Sequence, residues 1–167
     1  KRQDIDDVED ITSICGGLNI NIGTLNKNTI PSMFAAGKKA NELGHVTLLD
    51  PVGAGASKLR TDTANELMEK VKFDVVRGNI SEVKTLMIGS GSTKGVDADV
   101  ADKVTEDNID ETIVKLKAFS AKTGSIIAVT GAIDLVCDSE KCYVIRNGRP
   151  EMSSITGTGC QLSCLLY

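Results

Sequence analysis

Residues 46–56 read Val46-Thr47-Leu48-Leu49-Asp50-Pro51-Val52-Gly53-Ala54-Gly55-Ala56. Val46-Thr47-Leu48-Leu49 is a continuous run closed by Asp50-Pro51, the pattern of a parallel strand covered on both faces. The spacing then predicts a helix over residues 60–71, with Thr61 or Asp62 as its cap. A second short apolar strand follows, Asp74-Val75-Val76, ending in Arg77-Gly78-Asn79. Strand, helix and strand at this spacing form a crossover unit, which belongs to a parallel sheet with helices packed on it.

The same alternation continues in both directions. Upstream, Ile5, Val8, Ile11 and Ile14 have helical spacing across residues 4–15, and residues 18–22 read as a strand ending in Gly23-Thr24. A helix opens near Thr29 and Pro31, carries Met33, Phe34, Ala36, Ala40 and Leu43, and stops at Gly44. Downstream, a helix over 81–88 leads into a loop rich in Gly, Ser and Asp. A longer helix over 108–121, a strand over 125–129, an antiparallel pair (134–137 with 143–145) and a helix from Cys160 complete the chain. The expected fold is α/β, a three-layer α/β/α sandwich with a mostly parallel central sheet. The chain begins on a helix and stops about two turns into an apolar one, so we expect one domain over 1–167, incomplete at both ends.

Composition narrows the function. At roughly 150 residues per domain, 167 residues make one domain. Lys and Arg number 19 against 23 Asp and Glu, for a net charge of −4 with no basic run, which argues against nucleic acid and membrane surfaces as partners. Aromatic residues make up 3% with no Trp, so base-stacking platforms are not expected. No signal peptide or long apolar span is present in these residues, and a cytoplasmic location is expected. Five cysteines, an odd number, suggest reduced thiols. Cys137 and Cys142 flank a hairpin turn and are expected to be unpaired packing residues. His45 stands alone and reads as a loop residue rather than a metal ligand.

In an open parallel sheet, ligands bind beyond the C-terminal ends of the strands. Four strand ends carry small, polar or charged residues: Asn21-Ile22-Gly23-Thr24, Asp50-Pro51-Val52-Gly53, Arg77-Gly78-Asn79-Ile80-Ser81-Glu82 and Val129-Thr130-Gly131. Thr156-Gly157-Thr158-Gly159-Cys160 adds two glycines before a helix, an arrangement suited to phosphate. The positive end of a helix also favours an anionic sulfur. It is not a Walker A loop, and no Gly-x-Gly-x-x-Gly opens the first unit. Asn79 and Glu82, three apart at a helix start, fit either a capping box or a hydrated Mg²⁺. Spacing leaves both open.

Taken in order, the segments at Asp50-Pro51-Val52-Gly53-Ala54-Gly55-Ala56, Arg77-Gly78-Asn79-Ile80-Ser81-Glu82, Lys94-Gly95-Val96-Asp97, Val129-Thr130-Gly131 and Ile155-Thr156-Gly157-Thr158-Gly159-Cys160 resemble those of hydroxyethylthiazole kinases. Asn21-Ile22-Gly23-Thr24-Leu25 looks like that family's first strand end. The resemblance implies a ribokinase-like fold and transfer of phosphate from ATP, with Mg²⁺, to the hydroxyl of 4-methyl-5-(2-hydroxyethyl)thiazole in thiamine biosynthesis or salvage. It implies Cys160 as the catalytic residue, Arg77 and Thr130 as nucleotide contacts, and Gly157 and Asn21 as substrate contacts. Glu82 and Asp50 are implied for the metal, and a homotrimer for the assembly. Two other readings are another ribokinase-like small-alcohol kinase, such as a pyrimidine alcohol kinase, and a non-catalytic nucleotide-binding remnant.

Overall fold

The computed structural model describes residues 4–91, 103–149, 151, 154 and 157–166. Residues 92–102 of the expected Gly-rich loop, which include the Lys94-Gly95-Val96-Asp97 segment, and Ile155 and Thr156 lie outside the described residues. The strands are β1 (Gly17–Asn21), β2 (Val46–Asp50), β3 (Val75–Gly78), β4 (Ile126–Val129), β5 (Asp134–Cys137) and β6 (Cys142–Ile145). They form a six-stranded sheet in the order β1-β2-β3-β4-β5-β6. The first four are parallel, and β5 and β6 join as antiparallel strands. This is the mostly parallel α/β sheet that the sequence predicts.

The helices are α1 (Val8–Ser13), α2 (Thr29–Leu43), α3 (Lys58–Lys70), α4 (Ile80–Gly89), α5 (Ile109–Thr123) and α6 (Thr158–Ser163). Side chains alternate across a strand, so the core assigns the faces. Ile20, Ile22, Leu49, Val76, Ile127, Val129, Leu135 and Cys137 share one buried cluster with Met33 of α2, Leu67 of α3, Val83 and Leu86 of α4, and Leu116 and Phe119 of α5. That face therefore carries α2 to α5. Leu48, Val75 and Ala128 point the other way and are also buried, which is why β2 and β3 read as unbroken apolar runs. Asn21, Asp50, Arg77 and Thr130 fall on this second face by the same alternation. There α6 reaches β2, with Ser163 Oγ donating to Asp50 Oδ2 at 3.2 Å.

Three local expectations are corrected. The helical spacing over 4–15 shrinks to α1, and Ile14 is 82% exposed. Asp4, Asp6 and Asp7 cluster before it, and the Asp4 carboxylate accepts the Asp6 N–H, a local bond that competes with helix. Helix α3 begins at Lys58, capped by Ser57, whose hydroxyl accepts the Arg60 N–H. Thr61 instead accepts the Gly55 N–H, and Asp62 pairs with Lys58.

The third correction is chemical. Cys137 and Cys142 are joined by a disulfide rather than left as packing thiols. The hairpin register makes them direct cross-strand partners, so their side chains leave the same face side by side. Asp138 holds the turn between them by accepting the Lys141 and Glu140 N–H groups, and these bonds keep its carboxyl below its ordinary value. Cys15, Cys160 and Cys164 are free and exposed.

Candidate functional site

The parallel register aligns the polar strand ends. Asn21 is the partner of Asp50 across β1 and β2, and Arg77 is the partner of Ala128, two residues before Thr130. Four side chains from four adjacent strand ends thus converge at one edge of one face. Asp50 is the hub. Its Oδ2 accepts from Asn21 Nδ2 at 2.9 Å, Arg77 Nη1 at 3.3 Å and Ser163 Oγ at 3.2 Å. The side chains of Asp50 and Arg77 are 1% and 12% exposed, so this ion pair is screened from water. Arg77 Nη2 donates to Thr130 Oγ1 at 3.1 Å, which turns the guanidinium along the edge.

Helix α6 lies close over this cluster. Gly157 precedes it in the left-handed conformation, with φ of 88°. A Cβ on Gly159 would lie 2.6 Å from both Arg77 Nη1 and Nη2, so a larger residue there would displace the guanidinium from its place against α6. Cys160 sits next to it on the exposed side, and its Sγ accepts from Asn21 Nδ2 at 3.5 Å. The arrangement combines a buried acid, a guanidinium aimed along the edge, a hydroxyl and an exposed thiol. Such a set can bind a phosphate chain and take a proton from a neighbouring alcohol.

Five expected site residues are brought together: Asn21, Asp50, Arg77, Thr130 and Cys160. Gly157 stands one turn away, at the start of α6. Glu82 stands apart, in the first turn of α4. It completes a capping box with Asn79, its Oε2 accepting the Asn79 N–H at 2.8 Å while Asn79 Oδ1 accepts the Glu82 N–H at 2.9 Å. Its Oε1 accepts the Gly53 N–H at 2.8 Å and ties α4 to the loop after β2. Both oxygens are used, and a glutamine offers only one. Glu82→Gln is expected to lower stability by about 1 kcal/mol, or roughly 2–4 °C in melting temperature. Calorimetry reads this directly, and an unchanged melting temperature would refute the tether.

Sequence reasoning missed two residues. Ser163 is fully buried against Asp50, and one polar residue in a short helix that also carries Thr158 and Gln161 gives no sequence signal for that role. Arg60 donates to the carbonyls of Ile22 at 3.1 Å, Val52 at 2.9 Å and Gly23 at 3.0 Å. It clamps the loops that follow Asn21 and Asp50 together. An arginine in the first turn of a helix carries no sequence signal for such a task.

The profile of the hydroxyethylthiazole kinase family matches residues 2–166. The chain belongs to the hydroxyethylthiazole kinase family. It is 64% identical over 162 residues to a protein of Clostridium acetobutylicum named hydroxyethylthiazole kinase, covering 97% of this chain and 59% of that protein. A protein of the same name from Clostridium tetani is 51% identical over 163 residues, covering 98% and 59%. The solved structure of a hydroxyethylthiazole kinase protein from Pyrococcus horikoshii OT3 superposes with a TM-score of 0.83 at 31% identity, covering 98% of this chain and 58% of that one. The chain thus spans about three fifths of the length of these hydroxyethylthiazole kinases. Among the described residues, no helix is long and apolar enough to cross a membrane.

Proposed function

We propose that this chain carries the phosphoryl-transfer site of an enzyme that phosphorylates the hydroxyl of 4-methyl-5-(2-hydroxyethyl)thiazole with ATP, a step of thiamine biosynthesis or salvage. The observation that carries the reading is the convergence of Asn21, Asp50, Arg77, Thr130 and Cys160 at one sheet edge, in a chain of this family. Transfer of a γ-phosphoryl group requires in-line positioning and neutralisation of charge on its oxygens. Arg77 is held by Asp50 and Thr130, so its guanidinium meets the phosphates already oriented. Its Nε is buried without a partner among the described residues and remains available. Cys160 takes the alcohol proton as the new O–P bond forms and the bond to the ADP oxygen breaks. Gly157 and Asn21 border the place where the alcohol lies.

The residues fit a magnesium ion in one respect. Asp50 Oδ1 is buried and has no hydrogen-bond partner among the described residues, an unspent acceptor beside the phosphate site. Among the described residues no group of three or more His, Cys, Asp or Glu could hold a metal unaided. That suits Mg²⁺, which is held by one or two carboxylates, waters and substrate phosphates. Asp50 would hold it through Oδ1 and Glu82, whose two oxygens already accept backbone N–H groups, through water, and it would neutralise phosphate charge. The homotrimer and the cytoplasmic location belong to the same reading, and light scattering of the full-length protein tests the trimer.

The deciding experiment is a kinase assay of the full-length protein with ATP and Mg²⁺ against thiazole and pyrimidine alcohols. Turnover of the thiazole alcohol in preference to the pyrimidine is expected. Arg77→Ala is expected to weaken ATP binding about tenfold or more, equivalent to about 1.4 kcal/mol. Preference for the pyrimidine alcohol would assign a sibling enzyme instead. ATP binding without turnover of either would make the chain a nucleotide-binding remnant.

A further inference from the structure

Asn21 links the backbone turn after β1, the buried acid and the thiol. Its Oδ1 accepts the Gly23 N–H at 2.8 Å. Its Nδ2 donates to Asp50 Oδ2 at 2.9 Å and to Cys160 Sγ at 3.5 Å. An amide carries two hydrogens on nitrogen and none on oxygen, so these partners fix which way it faces. Turned over, it would set its oxygen against the Asp50 carboxylate and its NH₂ against the Gly23 N–H. The turn is shaped for the observed orientation: a Cβ on Gly23 would lie 2.8 Å from Asn21 Oδ1. Asp50 is itself held by Arg77 and Ser163. A rigid line therefore runs from Arg77 through Asp50 and Asn21 to the sulfur.

We propose that Asn21 is a positioning residue that acts through Cys160, its amide holding the sulfur in place while Asp50 and Gly23 lock the amide. This rests on the reading of Cys160 as the group that takes the alcohol proton, and it gives Asn21 a different task from the substrate contact that the resemblance implies. The chemistry follows from the donor. A hydrogen bond from a neutral N–H strengthens with negative charge on its acceptor, so the amide holds the sulfur most firmly when that sulfur reacts as a base or nucleophile. It also occupies one side of the sulfur, leaving the opposite side to face the alcohol.

The test has an arm that needs neither ATP nor substrate. In the full-length protein, alkylation of Cys160 by iodoacetamide at neutral pH is followed by mass spectrometry, with Cys15 and Cys164 as internal references. Asn21→Leu keeps the bulk and removes both donors. Its Cys160 alkylation is expected to slow about tenfold, the scale of one hydrogen bond to a charged group, with both references unchanged. In the kinase assay kcat is expected to fall by a similar factor, with the KM for the alcohol unchanged. An unchanged or faster alkylation rate overturns the proposal. So does a raised KM with unchanged kcat, which would make Asn21 a substrate contact. Gly23→Ala provides a second variant should Asn21→Leu fail to fold. It leaves the asparagine in place but pushes its amide oxygen away, and is expected to slow Cys160 alkylation several-fold, whereas an unchanged rate again overturns the proposal. Failure of the kinase reading itself would show separately, as absent turnover in the unmutated enzyme.

Discussion

Asp50→Ala is expected to lower the stability of the protein by about 3 kcal/mol or more, the scale for removing one partner of a buried ion pair. For a chain of this size that is a fall of roughly 6–12 °C in melting temperature. The cost follows from what the substitution leaves behind. Arg77 is 12% exposed and would keep Thr130 but lose its counter-charge. Asn21 Nδ2 and Ser163 Oγ would lose the same acceptor, and Ser163 is fully buried. Water cannot reach these donors freely, so each retains much of its desolvation penalty. The double variant Asp50→Ala/Arg77→Leu separates the terms. It removes the stranded charge and is expected to melt above the single variant, a non-additivity typical of residues in contact. Calorimetry checks both. A single variant melting within about 2 °C of the parent would show that Asp50 does not hold the cluster together.

How much of this was legible in advance depends on the physics of each element. β2 and β3 were plain because both their faces are buried, and Leu48, Leu49, Val75 and Val76 leave no polar alternation to misread. The edge of the site was legible for the same reason: Asp50 and Arg77 interrupt apolar runs at strand ends, where a parallel sheet binds ligands. Helix α1 was overestimated because spacing records amphipathicity without knowing what the apolar face packs against, and Ile14 packs against little. The start of α3 was misplaced because three hydroxyl and carboxyl side chains, Ser57, Thr61 and Asp62, compete for one cap, and tertiary bonds to Gly55 and Lys58 decide between them. The disulfide depends on a register that only the folded hairpin supplies. Arg60 and Ser163 are tied to partners 37 and 113 residues away, a separation no local pattern encodes.

Cys160→Ser is expected to lower kcat roughly 10²-fold or more, the usual scale for losing an acid–base group. The thiol sits on the first turns of α6, exposed, with Asn21 donating to its sulfur. A serine can occupy the same place and accept the same hydrogen bond. Its hydroxyl, however, gives up its proton far less readily than a thiol and so cannot take one from an alcohol of similar acidity. Two fields act on the sulfur in the loaded enzyme. The phosphates of ATP disfavour a second anion beside them, while the Arg77 guanidinium, which α6 approaches closely through Gly159, opposes that repulsion. Affinity for ATP and for the alcohol is expected to change little, because Arg77 and Thr130 keep their geometry without the sulfur. Cys160→Asp is expected to retain substantial activity, since a carboxylate accepts a proton from the same position. Steady-state kinetics on the full-length enzyme distinguish the outcomes: a Cys160→Ser enzyme running at the parent rate would make the thiol a bystander and place the base elsewhere, with the unpartnered Oδ1 of Asp50 the nearest alternative carboxylate in the cluster.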